Sequence, residues 1–300
     1  MRKRRHRARA ALAVVVTAVL ATAGCDAFGG GGADGTKDSG TSASRPSARP
    51  TPVWNRSPDS IAAVGDSITR GFDACAVLSD CPEVSWATGS DAKVDSLAVR
   101  LLGVRGAAER SWNYAVTGAR MSDLPEQMAH AAARDPQLVT VMIGANDACR
   151  SSASAMTPVA DFRAGFEESL ATLRAALPKT QVYVASVPNL KRLWSQGRTN
   201  PLGKQVWKLG LCPSMLGGAD DLTRAAVVRR ETVQRRVEDY NKVLKDVCAK
   251  DRHCRFDRNA VFDYRFDTEQ LSPWDWFHPS RNGQARLAEI AFRTVTAVKP

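Results

Sequence analysis

The stretch that decides the fold is "SIAAVGDSITRG", residues 60–71, in which an apolar run ends in Gly-Asp-Ser and a polar turn. A buried strand followed by a glycine turn is common in α/β proteins and by itself only structural. Open parallel sheets, however, bind their ligands at the carboxyl ends of their strands. Ser67 would lie at such an end, so the stretch predicts a strand and makes Ser67 a candidate nucleophile. We interpret Asp66 as a hydrogen-bonding turn residue rather than a catalytic acid.

The rest of the chain alternates between apolar runs and segments with helical periodicity. Strands are predicted at residues 112–116, 138–144, 181–187 and 258–263. Helices are predicted at residues 92–103, 121–134, 159–177, 224–250 and 283–298. Continuous apolar strands that alternate with amphipathic helices indicate a parallel sheet covered on both faces. An irregular insertion, residues 189–221, is long for a compact domain, which favours a functional role.

The N-terminus is typical of an exported protein. Residues 1–24 combine a cationic head with an Ala/Val-rich stretch too short for a comfortable membrane span, which predicts a signal peptide, with an uncleaved anchor as the alternative. The following "TAGCD" resembles the lipobox of bacterial lipoproteins and predicts lipidation of Cys25, although Thr22 stands where Leu or Val is usual. Residues 25–53 are rich in Gly, Ser, Thr and Pro, as in a flexible tether. The folded domain would then occupy residues 54–300.

Charge and composition argue against a nucleic-acid partner. The formal net charge is +11, but six of the positive charges lie within residues 1–24 and leave +5 for the remainder. This excess is spread along the chain without a basic block beside aromatic residues, unlike a nucleic-acid-binding surface. We expect an exported monomer, secreted or anchored as a lipoprotein to the outer face of a bacterial membrane.

Seven cysteines in an exported chain leave one without a partner, and lipidation of Cys25 would account for it. The other six allow 15 pairings. Two pairs bracket short polar loops, which favours bonds between sequence neighbours and leaves the last two cysteines for each other: Cys75–Cys81, Cys248–Cys254 and Cys149–Cys212. Free buried thiols are the alternative. Zinc binding is disfavoured because the chain has no Cys-x-x-Cys pair.

A nucleophilic serine needs a base, and His278 is the best candidate among four histidines. It lies in the aromatic, turn-rich loop "LSPWDWFHPSRNG", three residues after Asp275. In a turn, this spacing brings a carboxylate back to the imidazole Nδ1 and stabilises the imidazolium. Taken alone, Asp-x-x-His is also compatible with a capping acid beside a structural histidine.

Attack on an ester also requires donors for the developing oxyanion. Gly118, after the strand at residues 112–116, has a backbone N–H that a ligand can approach closely. Gly144 and Asn146 follow the most apolar strand, and an Asn amide is a neutral, fixed donor. Each could instead be an ordinary loop residue.

Together these segments resemble the SGNH/GDSL hydrolase family, in particular its phospholipase-B-like and secreted actinobacterial lipase branches. The resemblance covers residues 58 to 300 and depends on four stretches in the family's order, "GDSIT", "AVTGAR", "IGAND" and "DWFHPSRNG". It implies a flavodoxin-like three-layer α/β/α sandwich with a central parallel sheet of about five strands. It also implies Ser67 as nucleophile, His278 as general base and acid, and Asp275 as its orienting carboxylate. Ser67 N–H, Gly118 N–H and the Asn146 amide would form the oxyanion hole.

The resulting hypothesis is a serine esterase or lipase that acts on small-molecule or lipid esters through an acyl-enzyme on Ser67, without a metal or organic cofactor. A carbohydrate O-deacetylase with the same site and a catalytically silent surface-tethered binding protein are the alternatives. A Cys149–Cys212 bond would make the insertion a restrained wall over the cleft. Trp194, Leu211 and Met215 would then be candidate acyl contacts, or would simply pack the insertion onto the core.

Overall fold

The apolar run before Ser67 forms strand β1 (Ile61–Gly65), in which every residue is buried. The computed structural model describes residues 54–298. The predicted signal peptide (1–24), the predicted tether (25–53) and Cys25 therefore lie outside the described residues.

A five-stranded parallel sheet forms the centre of the fold, in the order β2-β1-β3-β4-β5. Its strands are β1 (Ile61–Gly65), β2 (Ser111–Asn113), β3 (Leu138–Met142), β4 (Gln181–Val184) and β5 (Cys254–Phe256). This order is that of the flavodoxin-like doubly wound fold, and it reverses direction at β1. The ends of β1 and β3, where Gly65 pairs with Met142, therefore lie beside the ligand-binding crevice of such sheets.

Helices cover both faces of the sheet, which confirms the predicted three-layer α/β/α sandwich. They are α1 (Ser67–Arg70), α2 (Leu97–Arg110), α3 (Leu124–Ala132), α4 (Ala145–Ala148), α5 (Val159–Ala176), α6 (Leu190–Gly197), α7 (Pro201–Trp207), α8 (Pro213–Leu216), α9 (Arg224–Cys248), α10 (Ala260–Asp263) and α11 (Arg281–Thr296). α3, α5 and α9 pack side by side, as do α2 and α11. Every residue of β1, β3 and β4 is buried and most are apolar, as in strands covered on both faces.

The fifth strand predicted at residues 258–263 is wrong. β5 lies earlier, at Cys254–Phe256, and α10 occupies Ala260–Asp263. The Asp257 carboxylate accepts the N–H groups of Asn259 and Val261 at 2.9 and 3.0 Å, which begins a helical turn after the strand. Asn259 adopts a left-handed backbone with φ 68°, which is incompatible with a continuing strand.

The insertion at residues 189–221 is more regular than predicted, because it contains α6, α7 and α8. Asn189 and Asn200 cap α6 and α7, and each side-chain oxygen accepts a backbone N–H from the first turn. Proline opens both α7 and α8, at a position where its missing N–H costs nothing. The Asn-Pro pair at residues 200–201 was the sequence signal for this helix.

The structure contains the three disulfides Cys75–Cys81, Cys149–Cys212 and Cys248–Cys254, the pairs favoured from the sequence. The second joins residues 63 positions apart and ties the segment after β3 to the insertion. Within residues 54–298, no helix has the length and apolar character that a membrane span requires.

Candidate active site

Gly65, at the end of β1, permits the close approach of two strands on which the site is built. Its φ is +148°, and a Cβ there would lie 2.2 Å from the Met142 carbonyl oxygen of β3. The Gln127 side chain holds the same residue, accepting from its N–H at 2.7 Å and donating to its carbonyl at 3.0 Å. The chain therefore leaves the sheet at a fixed point, one residue before Asp66.

Ser67 is the first residue of α1, a single helical turn that starts where β1 ends. The Asp66 carboxylate accepts the Ile68 N–H at 3.0 Å, and Gly71 closes the turn in a left-handed conformation with φ 67°. Gln284 of α11 donates to the Ile68 carbonyl at 2.8 Å. These contacts fix the turn from both ends, so the Ser67 side chain has a defined direction. Asp66 thus has the turn-capping contact expected from the sequence.

His278 lies within hydrogen-bond distance of both Ser67 and Asp275. The Ser67 Oγ to His278 Nε2 distance is 2.9 Å, and the His278 Nδ1 to Asp275 Oδ2 distance is 2.5 Å. Because a carboxylate only accepts, Nδ1 carries the proton and Nε2 is left to accept the Ser67 hydroxyl proton. The other Asp275 oxygen accepts the N–H groups of Phe277 and His278, each at 2.9 Å, which anchors the carboxylate in its own loop.

All three side chains are buried, with 6% of Ser67, 3% of Asp275 and 7% of His278 exposed. Burial by itself lowers the pKa of His278, but the charge and hydrogen bond of Asp275 outweigh it, so that the pKa lies above its usual value. Burial likewise acts to raise the pKa of Asp275, and the charge and hydrogen bond of His278 reverse that effect, leaving it below its usual value. The pair therefore favours an imidazolium beside a carboxylate, which is the charge state that removal of a serine proton produces.

Besides Ser67, the predicted oxyanion-hole residues Gly118 and Asn146 come from two neighbouring loops. The Val116 N–H donates to the Gly65 carbonyl at 3.1 Å, so the segment leading to Gly118 runs beside the end of β1. The Asn146 amide donates to the Ala119 carbonyl at 3.0 Å, which joins the two loops and leaves its second N–H for a ligand. Gly118 is exposed, with φ 86° and open space around its α-carbon.

Gly144 has a packing reason for being glycine. Its φ is +122°, and a Cβ would lie 2.8 Å from the Val187 side chain and 3.1 Å from Phe162. It allows β3 to turn directly into α4, which carries Asn146.

Sequence reasoning missed Asp73, a buried carboxyl beside this site. Asp73, Asp275 and His278 each place a ligand-type atom within 4.8 Å of the others. Such a set could hold a cation, but both nitrogens of His278 are engaged by Ser67 and Asp275, and the arrangement is a hydrogen-bonded relay. No local pattern marks Asp73, because it lies about 200 residues from Asp275 in the chain.

The insertion packs against the core and supports the loop that carries Asp275. Trp207 of α7 donates its indole N–H to the Asp275 carbonyl at 2.7 Å. Trp194 is 8% exposed, Met215 is fully buried and Leu211 is partly buried, all within or against the main core. Trp194 and Met215 therefore pack the insertion onto the core, the alternative given above to a role as acyl contacts.

The sequence profile described as GDSL-like Lipase/Acylhydrolase matches residues 61–291. The chain belongs to this family. The match covers β1 through most of α11, so it includes Ser67, Asp275 and His278, and it confirms the SGNH/GDSL resemblance. Membership marks the protein as an esterase, lipase or other acylhydrolase. Among curated proteins, none matches this chain in sequence.

Solved structures of similar fold include an acyltransferase, a lipase and a carbohydrate esterase. The salicylyl-acyltransferase SsfX3 from a tetracycline biosynthetic pathway is 18% identical, with a TM-score of 0.50 over 81% of this chain and 55% of that one. An extracellular lipase from Streptomyces rimosus is 17% identical, with a TM-score of 0.47 over 79% and 99%. A family 3 carbohydrate esterase from Clostridium thermocellum is 14% identical, with a TM-score of 0.44 over 78% and 94%. At these identities the likeness concerns the fold alone.

Proposed function

We propose that this GDSL-family protein is an extracytoplasmic serine esterase or lipase that hydrolyses carboxylic esters through an acyl-enzyme on Ser67. The observation that carries the proposal is the hydrogen-bonded chain from Ser67 through His278 to Asp275, at the carboxyl end of β1. A serine hydroxyl becomes a competent nucleophile only when an adjacent base takes its proton, and His278 Nε2 is 2.9 Å from Ser67 Oγ.

In the acylation step, Ser67 Oγ attacks the ester carbonyl carbon while its proton moves to His278 Nε2. The imidazolium that forms is stabilised by the Asp275 carboxylate, which stays ionised. Collapse of the tetrahedral intermediate breaks the bond between the carbonyl carbon and the alkoxy oxygen. His278 gives its proton to that oxygen, so the alcohol leaves and the acyl group remains on Ser67.

In the deacylation step, water attacks the acyl carbonyl carbon and gives its proton to His278. Collapse of this second tetrahedral intermediate breaks the bond between the carbonyl carbon and Ser67 Oγ; His278 returns the proton to that oxygen and the carboxylic acid leaves. Both tetrahedral intermediates carry a negative oxygen, for which the donors are the N–H groups of Ser67 and Gly118 and one amide N–H of Asn146. Within residues 54–298, no hydrogen bond uses the N–H of Ser67 or of Gly118, so both donors remain open to a ligand. This chemistry needs no metal or organic cofactor.

The proposed substrate is a small-molecule or lipid ester, and the alcohol portion is the least constrained part of the proposal. An O-acetylated carbohydrate would react through the same groups, because the site acts on the acyl carbonyl. Acetate release from an acetylated polysaccharide, measured beside short esters, long esters and phospholipids, distinguishes a deacetylase from an esterase or lipase.

The proposed location is outside the cytoplasm, with Cys25 lipidated and residues 25–53 as a tether from the membrane. The three disulfides support an oxidising compartment, since structural disulfides persist mainly in exported proteins. We propose that the protein acts there as a monomer.

The deciding experiment replaces the nucleophile. Ser67→Ala should lower kcat/KM on short p-nitrophenyl esters by several orders of magnitude, because no other group can form the acyl-enzyme. The measurement is initial-rate hydrolysis by the purified protein, together with labelling by a fluorophosphonate probe.

Ser90→Ala is the matched control, because Ser90 is exposed and distant from α1 in the sequence. It should retain both hydrolysis and labelling. Equal hydrolysis by Ser67→Ala would refute the assignment of the nucleophile. A wild-type protein that neither reacts with the probe nor hydrolyses any ester would instead be a silent binding protein.

A further inference from the structure

The loop after α1 places a second carboxyl beside the Asp275–His278 pair. Asp73 is 2% exposed, and its ligand-type oxygen lies within 4.8 Å of those of Asp275 and His278. Neither the family's four sequence stretches nor the mechanism above uses this residue.

Asp73 is held in place by three separate contacts, which indicates a fixed position. Its Oδ1 accepts the Leu78 N–H at 2.5 Å, and its own N–H donates to the Ser79 carbonyl at 3.0 Å. Its carbonyl accepts the Ser272 hydroxyl at 2.7 Å, from the loop that carries Asp275. The Cys75–Cys81 disulfide closes the loop that makes the first two contacts.

The charge around His278 is strongly one-sided. Carboxyls approach it from three segments, Asp275 from its own loop, Asp66 from the start of α1 and Asp73 from the loop after α1. The neighbours of His278 also include the Ser67 hydroxyl and the rings of Phe72 and Phe277, at centroid distances of 5.0 and 5.4 Å. Within residues 54–298, no ion pair joins these carboxyls to a lysine or an arginine. Among the described residues, the imidazolium of His278 is therefore the one positive charge paired with these carboxyls.

We propose that Asp73 is a positioning residue of this site, whose carboxylate adds a second negative charge beside Asp275 and so strengthens His278 as a base. The inference deepens the proposed function and rests on it. The imidazolium forms during each proton transfer from Ser67, and a second nearby anion stabilises it in a buried site where water screens little.

The titration of Asp73 agrees with this role. Burial and the neighbouring Asp275 charge raise the pKa of Asp73 to about 6. Asp73 is therefore ionised in the neutral range, and it acquires a proton only as the solution becomes acidic. Below that point it would be a neutral acid beside Asp275 and would support His278 less.

The first test follows His278 directly in the wild-type protein by NMR of ¹⁵N-labelled histidine, with His278→Gln used to assign the signal. We expect His278 to titrate above pH 6.5, with smaller inflections near pH 6 and pH 7 as Asp73 and Asp66 ionise, and we expect Asp73→Asn to remove the inflection near pH 6. A single inflection at or below pH 6.5 would overturn the proposal. This measurement needs no substrate, so it stands even if ester hydrolysis is not found.

The second test is Asp73→Asn, which keeps an oxygen for the Leu78 N–H but removes the charge. The acid limb of kcat/KM should move to lower pH by about one unit, and kcat should fall about threefold to tenfold with little change in KM. Glu83→Gln is the matched control, because it removes the same charge from an exposed position two residues after Cys81.

If the acid limb of kcat/KM lies at the same pH in Asp73→Asn as in wild type, the proposal is wrong and Asp73 has only a structural role, whatever the loss of rate. A limb that moves equally in Glu83→Gln would refute the proposal, since net charge would then be the cause. Should Asp73→Asn fail to fold, the wild-type histidine titration decides. If the wild-type protein hydrolyses no ester but His278 titrates as expected, the proposed function is refuted, whereas the electrostatic effect of Asp73 on His278 stands.

Discussion

At the scale of single residues, the site is characterised by buried carboxyls rather than by one acid. Asp66 is 1% exposed, and its Oδ2 is buried without a hydrogen-bond partner among residues 54–298. Burial raises the pKa of Asp66 to about 7, against the lowering effects of the Ile68 N–H and the His278 charge. Asp66, the residue that caps α1 and precedes the candidate nucleophile, is therefore neutral in acid and becomes charged only near pH 7.

This gives a prediction for stability. Well below the ordinary pKa of 3.8, Asp66 is protonated in both the folded and the unfolded chain, so the folded state carries no penalty from its charge there. Between about pH 4 and pH 7 the unfolded chain releases the proton while the folded chain keeps it, so rising pH favours unfolding. Asp66→Asn removes this effect. Its free energy of unfolding, relative to that of wild type, should therefore increase by about 2–3 kcal/mol from pH 5 to pH 7, as measured by urea unfolding.

The matched control is Asp59→Asn, because the Asp59 side chain is 72% exposed and its substitution should leave the pH dependence unchanged. If the stability curves of wild type and Asp66→Asn run parallel from pH 5 to pH 8, Asp66 does not hold a proton in the folded state.

At the scale of elements, the Asn146-bearing turn α4 depends on the insertion. The Cys149–Cys212 disulfide has a Cα–Cα distance of 4.3 Å and joins the end of α4 to the start of α8. Ser214 adds a hydrogen bond from its hydroxyl to the Ala148 carbonyl at 2.7 Å. The segment that carries Asn146 and the insertion are thus joined by a covalent bond and a hydrogen bond, and Met215 of the insertion is fully buried.

Replacing both Cys149 and Cys212 by Ser should cost about 4 kcal/mol of unfolding free energy, because the bond closes a long loop. Since Trp194 and Met215 are core residues, the folded variant should lose activity equally on short and long acyl esters. The measurements are denaturant unfolding and kcat/KM over a series of ester chain lengths.

The matched control replaces both Cys248 and Cys254 by Ser. Because that disulfide joins residues only six positions apart, its removal should cost about half as much free energy of unfolding. A loss in the Cys149/Cys212 variant that falls mainly on long chains would restore the insertion as a wall of the acyl site.

At the scale of the whole molecule, we propose that membrane attachment and catalysis are carried by different parts of the chain. The hydrogen bonds between Ser67 and His278 and between His278 and Asp275 lie within residues 54–298, whereas the proposed lipid is on Cys25, outside the described residues. One acyl chain binds a membrane only marginally, so stable attachment implies two or more chains.

Cys25→Ala should therefore move the protein from the membrane fraction to the medium in a bacterial host that processes lipoproteins. Its kcat/KM on a soluble short ester should stay the same, because the tether does not take part in catalysis. Immunoblotting of both fractions and mass spectrometry of the N-terminus make the measurement. Ser42→Ala, in the same segment, should remain membrane-bound, and an unmodified wild-type N-terminus in the medium would identify an ordinary secreted enzyme.

The sequence alone determined the elements and the candidates for chemistry. Continuous apolar runs such as β1 and β3 predict buried parallel strands because such strands bury both faces. Ser67, His278 and Asp275 could be selected because the chain has only four histidines, and His278 is the one in an aromatic, turn-rich loop with an acid three residues before it. Local capping misled the prediction at residues 258–263, since the Asp257 carboxylate converted an apolar run into a helical turn.

The tertiary structure alone decided which charges meet. Asp73 and Asp66 are ordinary acids in the sequence, and only folding brings them, buried, to His278 from opposite ends of α1. Electrostatic interaction depends on distance in space and on exclusion of water, neither of which is encoded in local spacing. The same reason applies to the insertion, whose Trp207 supports the Asp275 loop across 68 residues of chain.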